Sequence, residues 1–212
     1  MNFKMSIKQR LQQLQSTLPK HVTLVAVSKT KPVDDLMEAY NAGQRVFGEN
    51  KIQEMVEKYH QMPKDIQWHM IGHVQTNKVK YMAPFVDLIH GVDRLKLLKE
   101  INIQALKYNR IIQCLLQIKI AQEDSKFGMT ADDAEDLLLS STFNDLKNIK
   151  IVGVMGMASF TNNKEQIRSE FETLTSTFER LKQRQSQIEI ISMGMSGDFS
   201  LAIECGSTMV RV

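Results

Sequence analysis

The sequence predicts a single (β/α)8 barrel with an extra helix before its first strand, and two observations carry this prediction. First, eight short apolar runs alternate along the 212 residues with segments of helical periodicity, a pattern typical of parallel α/β folds. Second, no linker or low-complexity tract divides the chain, so we expect one domain over residues 1–212. The alternation also suits an open doubly wound sheet, but eight strand candidates favour closure into a barrel.

Most of the strand candidates are continuous apolar runs, as expected for strands that are buried on both faces. Three of them are short. In chain order they are 22–28, 45–47, 66–70, 86–90, 111–118, 149–154, 188–192 and 208–212.

The segments between these runs have apolar residues three and four positions apart, which indicates helices that turn one side toward the core. The first helix is expected over 6–18, before the first strand. Asp93, Thr130 and Asp198 stand where helix N-caps are needed, and Gly43 and Gly206 follow helical runs as C-terminal stops.

Composition narrows the class of protein. The formal net charge is +3 with the basic residues spread along the chain, which argues against nucleic-acid and membrane partners but permits a small anionic ligand. The spacing of Cys114 and Cys205 indicates neither a metal site nor a disulfide framework. Because the chain has no signal-peptide core and no run of about 18 apolar residues, we expect a cytoplasmic protein.

Reactive groups of a barrel lie where its strands end, and Lys29 ends the first run. An amine at the barrel mouth is partly desolvated, which favours the neutral form that attacks an aldehyde. From position alone, a lysine that lies along the rim with its amine in water is the more common case.

Two further features suit an anionic ligand. The turn at 193–198 contains two glycines and Ser196, and it could present backbone N–H groups to a phosphate or be an ordinary loop. Arg211, in the last run, must contact either a ligand or a structural partner, because a buried guanidinium needs an acceptor. His69 and His73 have the spacing of helical zinc ligands but lie at a strand end, so no metal site is predicted.

Taken together, five segments closely resemble the pyridoxal phosphate homeostasis protein family. They are VAVSKTKP at 25–32, FGEN at 47–50, WHMIGHVQTNK at 68–78, SMGMSGD at 192–198 and GSTMVR at 206–211. The resemblance implies a barrel similar to the N-terminal domain of alanine racemase, with pyridoxal 5′-phosphate (PLP) held as a Schiff base on Lys29. The resemblance also implies that Arg211 faces the pyridine nitrogen of PLP and that Lys126 has an auxiliary role. The cofactor-binding set predicted in this way is Lys29, Asn50, His69, Ser196, Gly197, Ser207, Thr208 and Arg211.

The resemblance implies a PLP carrier rather than an enzyme. An arginine at the pyridine nitrogen disfavours protonation there and weakens the ring as an electron sink. We therefore expect a monomeric homeostasis protein that holds PLP and releases it, with apo PLP-dependent enzymes as possible partners. A slow amino-acid racemase and a binding module that has lost its cofactor are the alternatives. Family members continue past this arginine into a final helix, so we expect residues after Val212 that complete the phosphate site.

Overall fold

Eight parallel strands form a closed barrel in the computed structural model, which describes residues 5–122 and 127–212. The strands pair in chain order, and β8 closes the ring by pairing with β1. The predicted (β/α)8 fold class with an extra N-terminal helix is confirmed. The strands are β1 (Thr23–Val27), β2 (Val46–Glu49), β3 (Gln67–Met70), β4 (Leu88–Val92), β5 (Ile112–Gln117), β6 (Ile149–Met155), β7 (Ile190–Ser192) and β8 (Met209–Arg211).

Helices cover the outside of the barrel, and α1 is the extra helix that precedes β1. A capping box on Ser6 begins α1, and a second one on Thr130 begins α6 at the predicted residue. The helices are α1 (Ile7–Thr17), α2 (Val33–Asn41), α3 (Ile52–Gln61), α4 (Val79–Met82), α5 (Leu95–Lys107), α6 (Ala131–Leu139), α7 (Ser141–Asn144), α8 (Lys164–Arg184) and α9 (Phe199–Glu204). Among the described residues, none of these helices is both long enough and apolar enough to cross a membrane.

Strand boundaries differ from the predicted ones by up to two residues. Two local differences have a visible cause. The fourth strand begins at Leu88 and not at residue 86, because Val86 still closes the preceding turn by donating its N–H to the carbonyl of Met82. The predicted N-cap at Asp93 is occupied by Arg94, since the Asp93 carboxylate pairs with the Arg94 guanidinium instead of capping α5.

An apolar cluster lies in the barrel interior. Its buried members come from five of the eight strands: Val25, Leu88, Leu115, Val152, Met155 and Met209. Because side chains of a strand alternate between its two faces, the residues two positions further along β1, β4, β5 and β8 also point inward. We call the space framed by the carboxyl ends of the strands the cup, and this apolar cluster its floor.

Candidate functional site

Lys29 lies at the mouth of the barrel, two residues after β1 ends. Val25 belongs to the floor of the cup, so Val27 faces the interior as well, and Lys29 follows in the turn directly after the strand. The Lys29 side chain is exposed and has no hydrogen-bond acceptor within residues 5–122 and 127–212. Its amine is therefore available to a ligand that enters the cup.

The turn that carries Lys29 is held from both sides by α3. The Lys58 ammonium donates to the carbonyl of Ser28 at 2.7 Å, and the N–H of Thr30 donates to Glu54 Oε1 at 2.6 Å. Thr30 has a φ of 61°, in the left-handed region that a β-branched residue rarely adopts. The carboxylate of Glu54 stabilises this conformation, so α3 determines the direction in which Lys29 leaves the strand.

Lys58 is itself a buried cation with two carboxylate partners. Its Nζ lies 2.6 Å from Glu49 Oε1 and 2.7 Å from Glu54 Oε1, and the Ser28 hydroxyl also donates to Glu49 Oε1 at 2.6 Å. Burial raises the pKa of Glu49 although Lys58 and Ser28 act to lower it. Burial also acts to raise the pKa of Glu54, but hydrogen bonds from Lys58 and the Thr30 N–H lower it overall.

Sequence reasoning missed Glu54 and Lys58 as members of the site. A signal was present, because Lys58 stands three residues after Met55 on the apolar side of α3 and four residues after Glu54. That spacing places Lys58 among buried residues with a carboxylate within reach. A lysine on the core-facing side of a predicted helix needs a buried acceptor.

Arg211 lies in the interior of the cup, two residues beyond the floor residue Met209. The side chain is only 4% exposed. Its guanidinium donates from one terminal nitrogen to the carbonyl of Ser192 at 2.9 Å and to the Ser192 hydroxyl at 2.7 Å, and from the other to the carbonyl of Gly156 at 3.2 Å. Burial lowers the pKa of Arg211 to about 10, which leaves it charged at neutral pH.

His69 is connected to Arg211 by a chain of buried hydrogen bonds. His69 Nδ1 lies 3.1 Å from His90 Nε2, and His90 Nδ1 lies 3.0 Å from the Ser192 hydroxyl that Arg211 contacts. Burial lowers the pKa of His69 to about 3. Burial, followed by electrostatic interactions with His69 and Arg211, also lowers the pKa of His90. Both imidazoles are therefore neutral at physiological pH.

The glycine-containing turn at 193–198 leaves three backbone N–H groups open, those of Gly194, Ser196 and Gly197. In the described part of the chain these N–H groups have no acceptor, whereas the N–H of Met195 donates to Asp198 Oδ1 at 2.5 Å. A Cβ added to Gly197 would meet nothing within 4 Å, so there is open space in front of the turn. Unpaired N–H groups beside open space suit an anion.

The remaining predicted residues divide into three cases. Asn50 is exposed at the mouth, one residue after β2 ends. Ser207 and Thr208 are not brought to the mouth: they precede β8, and the Ser207 hydroxyl donates to the carbonyl of Met193 at 2.7 Å while Thr208 Oγ1 accepts from the N–H of Ile191. Lys126 lies outside the described residues.

His73 does not join His69 in a metal site. Its ring stacks on Phe127 with 4.3 Å between centroids, and its Nδ1 lies 3.7 Å from Asp93 Oδ2. His69 instead faces His90 in the barrel interior. Within the described ranges, no three potential ligands are grouped so that they could hold a metal ion.

Comparison with known proteins agrees with the geometry. Residues 4–212 match the family described as alanine racemase, N-terminal domain. The pyridoxal phosphate homeostasis protein of Pasteurella multocida is 39% identical over 98% of this chain and 95% of its own length. This chain belongs to the pyridoxal phosphate homeostasis protein family.

Solved structures share the fold of this chain. PipY of Synechococcus elongatus, solved with PLP bound, is 32% identical in sequence to this chain. The two structures align with a TM-score of 0.89 over 98% of this chain and 97% of PipY. An alanine racemase of Clostridium difficile has a TM-score of 0.80 at 13% identity, over 97% of this chain and 54% of the racemase. The racemase likeness concerns the fold alone, and this chain spans about half of that enzyme.

Proposed function

We propose that this protein binds PLP as a Schiff base on Lys29 and acts in the cytoplasm as a carrier that holds and releases the cofactor. The observation that carries the proposal is the position of Lys29, an exposed amine at the end of β1, in a cup whose interior wall contains the buried Arg211. Its relative PipY has been solved with PLP bound.

The residues at the mouth fit the chemical groups of PLP. Lys29 offers a primary amine to the aldehyde, and the open N–H groups of Ser196 and Gly197 offer donors to the phosphate. Arg211 offers a permanent positive charge for the pyridine nitrogen. When bound, PLP supplies an electrophilic carbonyl carbon and an aromatic ring that can act as an electron sink.

The site supports binding better than turnover. All four tyrosines, the residues that could supply a phenol base, belong to the outer helices: Tyr40 to α2, Tyr59 to α3, Tyr81 to α4 and Tyr108 to the C-cap of α5. Arg211 at the pyridine nitrogen would disfavour the protonation that makes the ring a strong electron sink. A racemase of low activity is the alternative that an experiment must separate from a carrier.

Reduction of the PLP complex with borohydride, followed by peptide mass mapping, tests the proposal. We expect one pyridoxyl adduct, on Lys29, with Lys31 of the same turn unmodified. An adduct confined to other lysines, or none, would overturn the assignment. Exchange of the amino-acid α-hydrogen in deuterated water separates the two functions, because a carrier exchanges the amine partner without measurable exchange of that hydrogen.

Transfer and assembly complete the proposed role. A monomeric carrier should activate an apo PLP-dependent enzyme when loaded, with a sedimentation mass of one chain. A loaded protein that leaves every apo-enzyme tested inactive would contradict the transfer step. A mass of two chains would contradict the monomeric state.

Gly197→Ala should weaken PLP binding without affecting the fold. The added Cβ meets open space in the ligand-free protein, so the free energy of unfolding should change by less than about 1 kcal/mol. The methyl group would project into the open space beside the turn, where the phosphate is proposed to bind. We expect at least a tenfold rise in the Kd for PLP, measured by absorbance titration. Pyridoxal without phosphate is the matched ligand, and an equal loss for both ligands would contradict a phosphate contact at this turn.

A further inference from the structure

Ser192 and His90 connect Arg211 to His69 through the barrel interior, and the proposed function assigns neither of them a role. We infer that these two are positioning residues: they hold His69 in the neutral tautomer that carries its hydrogen on Nε2. His69 then offers the ligand a hydrogen-bond donor and does not act as a base. The identity of the ligand rests on the proposed function, whereas the tautomer does not.

Arg211 determines the donor and acceptor roles in this series of hydrogen bonds. A guanidinium can only donate, so the Ser192 hydroxyl oxygen, 2.7 Å from an Arg211 nitrogen, accepts. That hydroxyl has one hydrogen of its own and is fully buried. Among the described residues the other partner of the Ser192 hydroxyl is His90 Nδ1, at 3.0 Å. The hydroxyl therefore donates to His90 Nδ1, because otherwise its hydrogen is buried without an acceptor.

The same reasoning assigns the donor and acceptor nitrogens of His90 and His69. A neutral imidazole that accepts at Nδ1 carries its hydrogen on Nε2. His90 Nε2 therefore donates to His69 Nδ1 at 3.1 Å, and His69 in turn carries its hydrogen on Nε2. His90 is 0% exposed and belongs to the chain that ends at the Arg211 cation, so both its burial and that charge oppose a second proton.

The outer nitrogen of His69 remains open. His69 Nε2 has no hydrogen-bond partner among the described residues. It is also not one of the side-chain polar atoms of those residues that are both buried from solvent and unpartnered, which are Glu49 Oε2, Trp68 Nε1 and Arg180 Nε. His69 Nε2 therefore keeps contact with solvent. An atom of a ligand that meets it must be an acceptor, and in PLP the ionised ring oxygen beside the aldehyde has that chemistry. Because its lone-pair nitrogen is already engaged by His90, His69 cannot remove a proton from a bound amino acid.

Nitrogen NMR on protein labelled with ¹⁵N-histidine tests the inference without any ligand. Long-range ¹H–¹⁵N correlations distinguish a hydrogen on Nε2 from one on Nδ1, and His69→Gln and His90→Gln variants assign the signals. We expect both residues to carry the hydrogen on Nε2. The exposed His73 is the internal comparison, and a hydrogen on Nδ1 of either His69 or His90 would overturn the inference.

Ser192→Ala tests the origin of the order. Without the hydroxyl, His90 Nδ1 loses its donor, so His90 and His69 should show a mixture of tautomers or the Nδ1–H form. Thr177→Val is the matched control, because its buried hydroxyl donates to the carbonyl of Thr173 within α8 and removing it should leave both signals unchanged. Signals unaffected by Ser192→Ala would contradict the role of Ser192. If that variant does not fold, the wild-type assignment still decides the inference.

Addition of PLP separates the two proposals. We expect the His69 Nε2–H signal to shift while the hydrogen stays on Nε2. If PLP forms its adduct on Lys29 and the His69 signal does not move, the donor role of His69 is overturned and the carrier proposal stands. If PLP does not bind while both histidines carry the hydrogen on Nε2, the carrier proposal fails and the tautomer assignment stands.

Discussion

Replacing Lys29 with alanine should abolish the visible absorption of the PLP Schiff base while leaving the protein folded. The side chain is exposed at the mouth and has no hydrogen-bond acceptor within the described ranges, so its loss removes no packing contact of the core. We expect a change of less than about 0.5 kcal/mol in the free energy of unfolding, measured with urea. Absorbance titration with PLP should show no saturable Schiff-base signal.

Lys31→Ala is the matched control for this variant. Lys31 is an exposed lysine of the same turn, and its backbone N–H, which the substitution keeps, donates to the carbonyl of Ser28. It should bind PLP as the wild type does. A Schiff-base signal that survives Lys29→Ala and disappears in Lys31→Ala would move the site by two residues. Loss of folding in Lys29→Ala would show that the side chain has a structural role that its exposure does not suggest.

Lys58→Met should produce the largest loss of stability among these variants. The substitution leaves Glu49, which is 0% exposed, as a buried carboxylate without its cation. Removing one partner of a buried ion pair costs about 3–5 kcal/mol, and we expect a loss in this range at about pH 8. PLP affinity should fall as well, because the Ser28 carbonyl loses the donor that holds the Lys29 turn.

The loss should diminish on acidification. Burial raises the pKa of Glu49 in the folded protein, so the folded state binds this proton more tightly than the unfolded chain does. The contribution of Glu49 protonation to the free energy of unfolding is fully present below the pKa of the unfolded chain, about 4.3. It is lost as pH rises through the pKa of Glu49 in the folded protein. Without Lys58 the folded pKa rises further, so the difference between variant and wild type should be smaller at about pH 5 than at about pH 8.

Two comparisons make the Lys58 result specific. Glu49→Gln combined with Lys58→Met removes the buried charge and should recover most of the stability with little dependence on pH. Arg184→Met breaks an ion pair with Glu135 on the exposed side of α8 and should change stability little. If Lys58→Met alone and the double variant lose the same stability, side-chain packing, and not the buried carboxylate, is responsible for the loss.

Local sequence patterns predicted the barrel and several residues of its mouth. Lys29 was identified because it ends a predicted strand, Arg211 because a guanidinium inside a barrel strand needs an acceptor, and Asn50 through the family resemblance. The structure places all three at the mouth or in the interior of the cup. Ser207 and Thr208 were included through the family resemblance, but they precede β8 and bond to the backbone of β7 and the loop after it. Adjacency to a motif in sequence therefore did not establish which end of a strand a residue occupies.

The sequence by itself determined the strand and helix pattern, the strand-end lysine and the family, because each of these depends on neighbouring residues or on short ordered motifs. Only the tertiary structure decided which distant polar groups meet. His90 and Ser192 are 102 residues apart in sequence, and Lys58 is 30 residues from the carbonyl to which it donates. Burial makes these pairings obligatory, since a polar group removed from water needs a partner, but strand order and register determine which partner comes within reach.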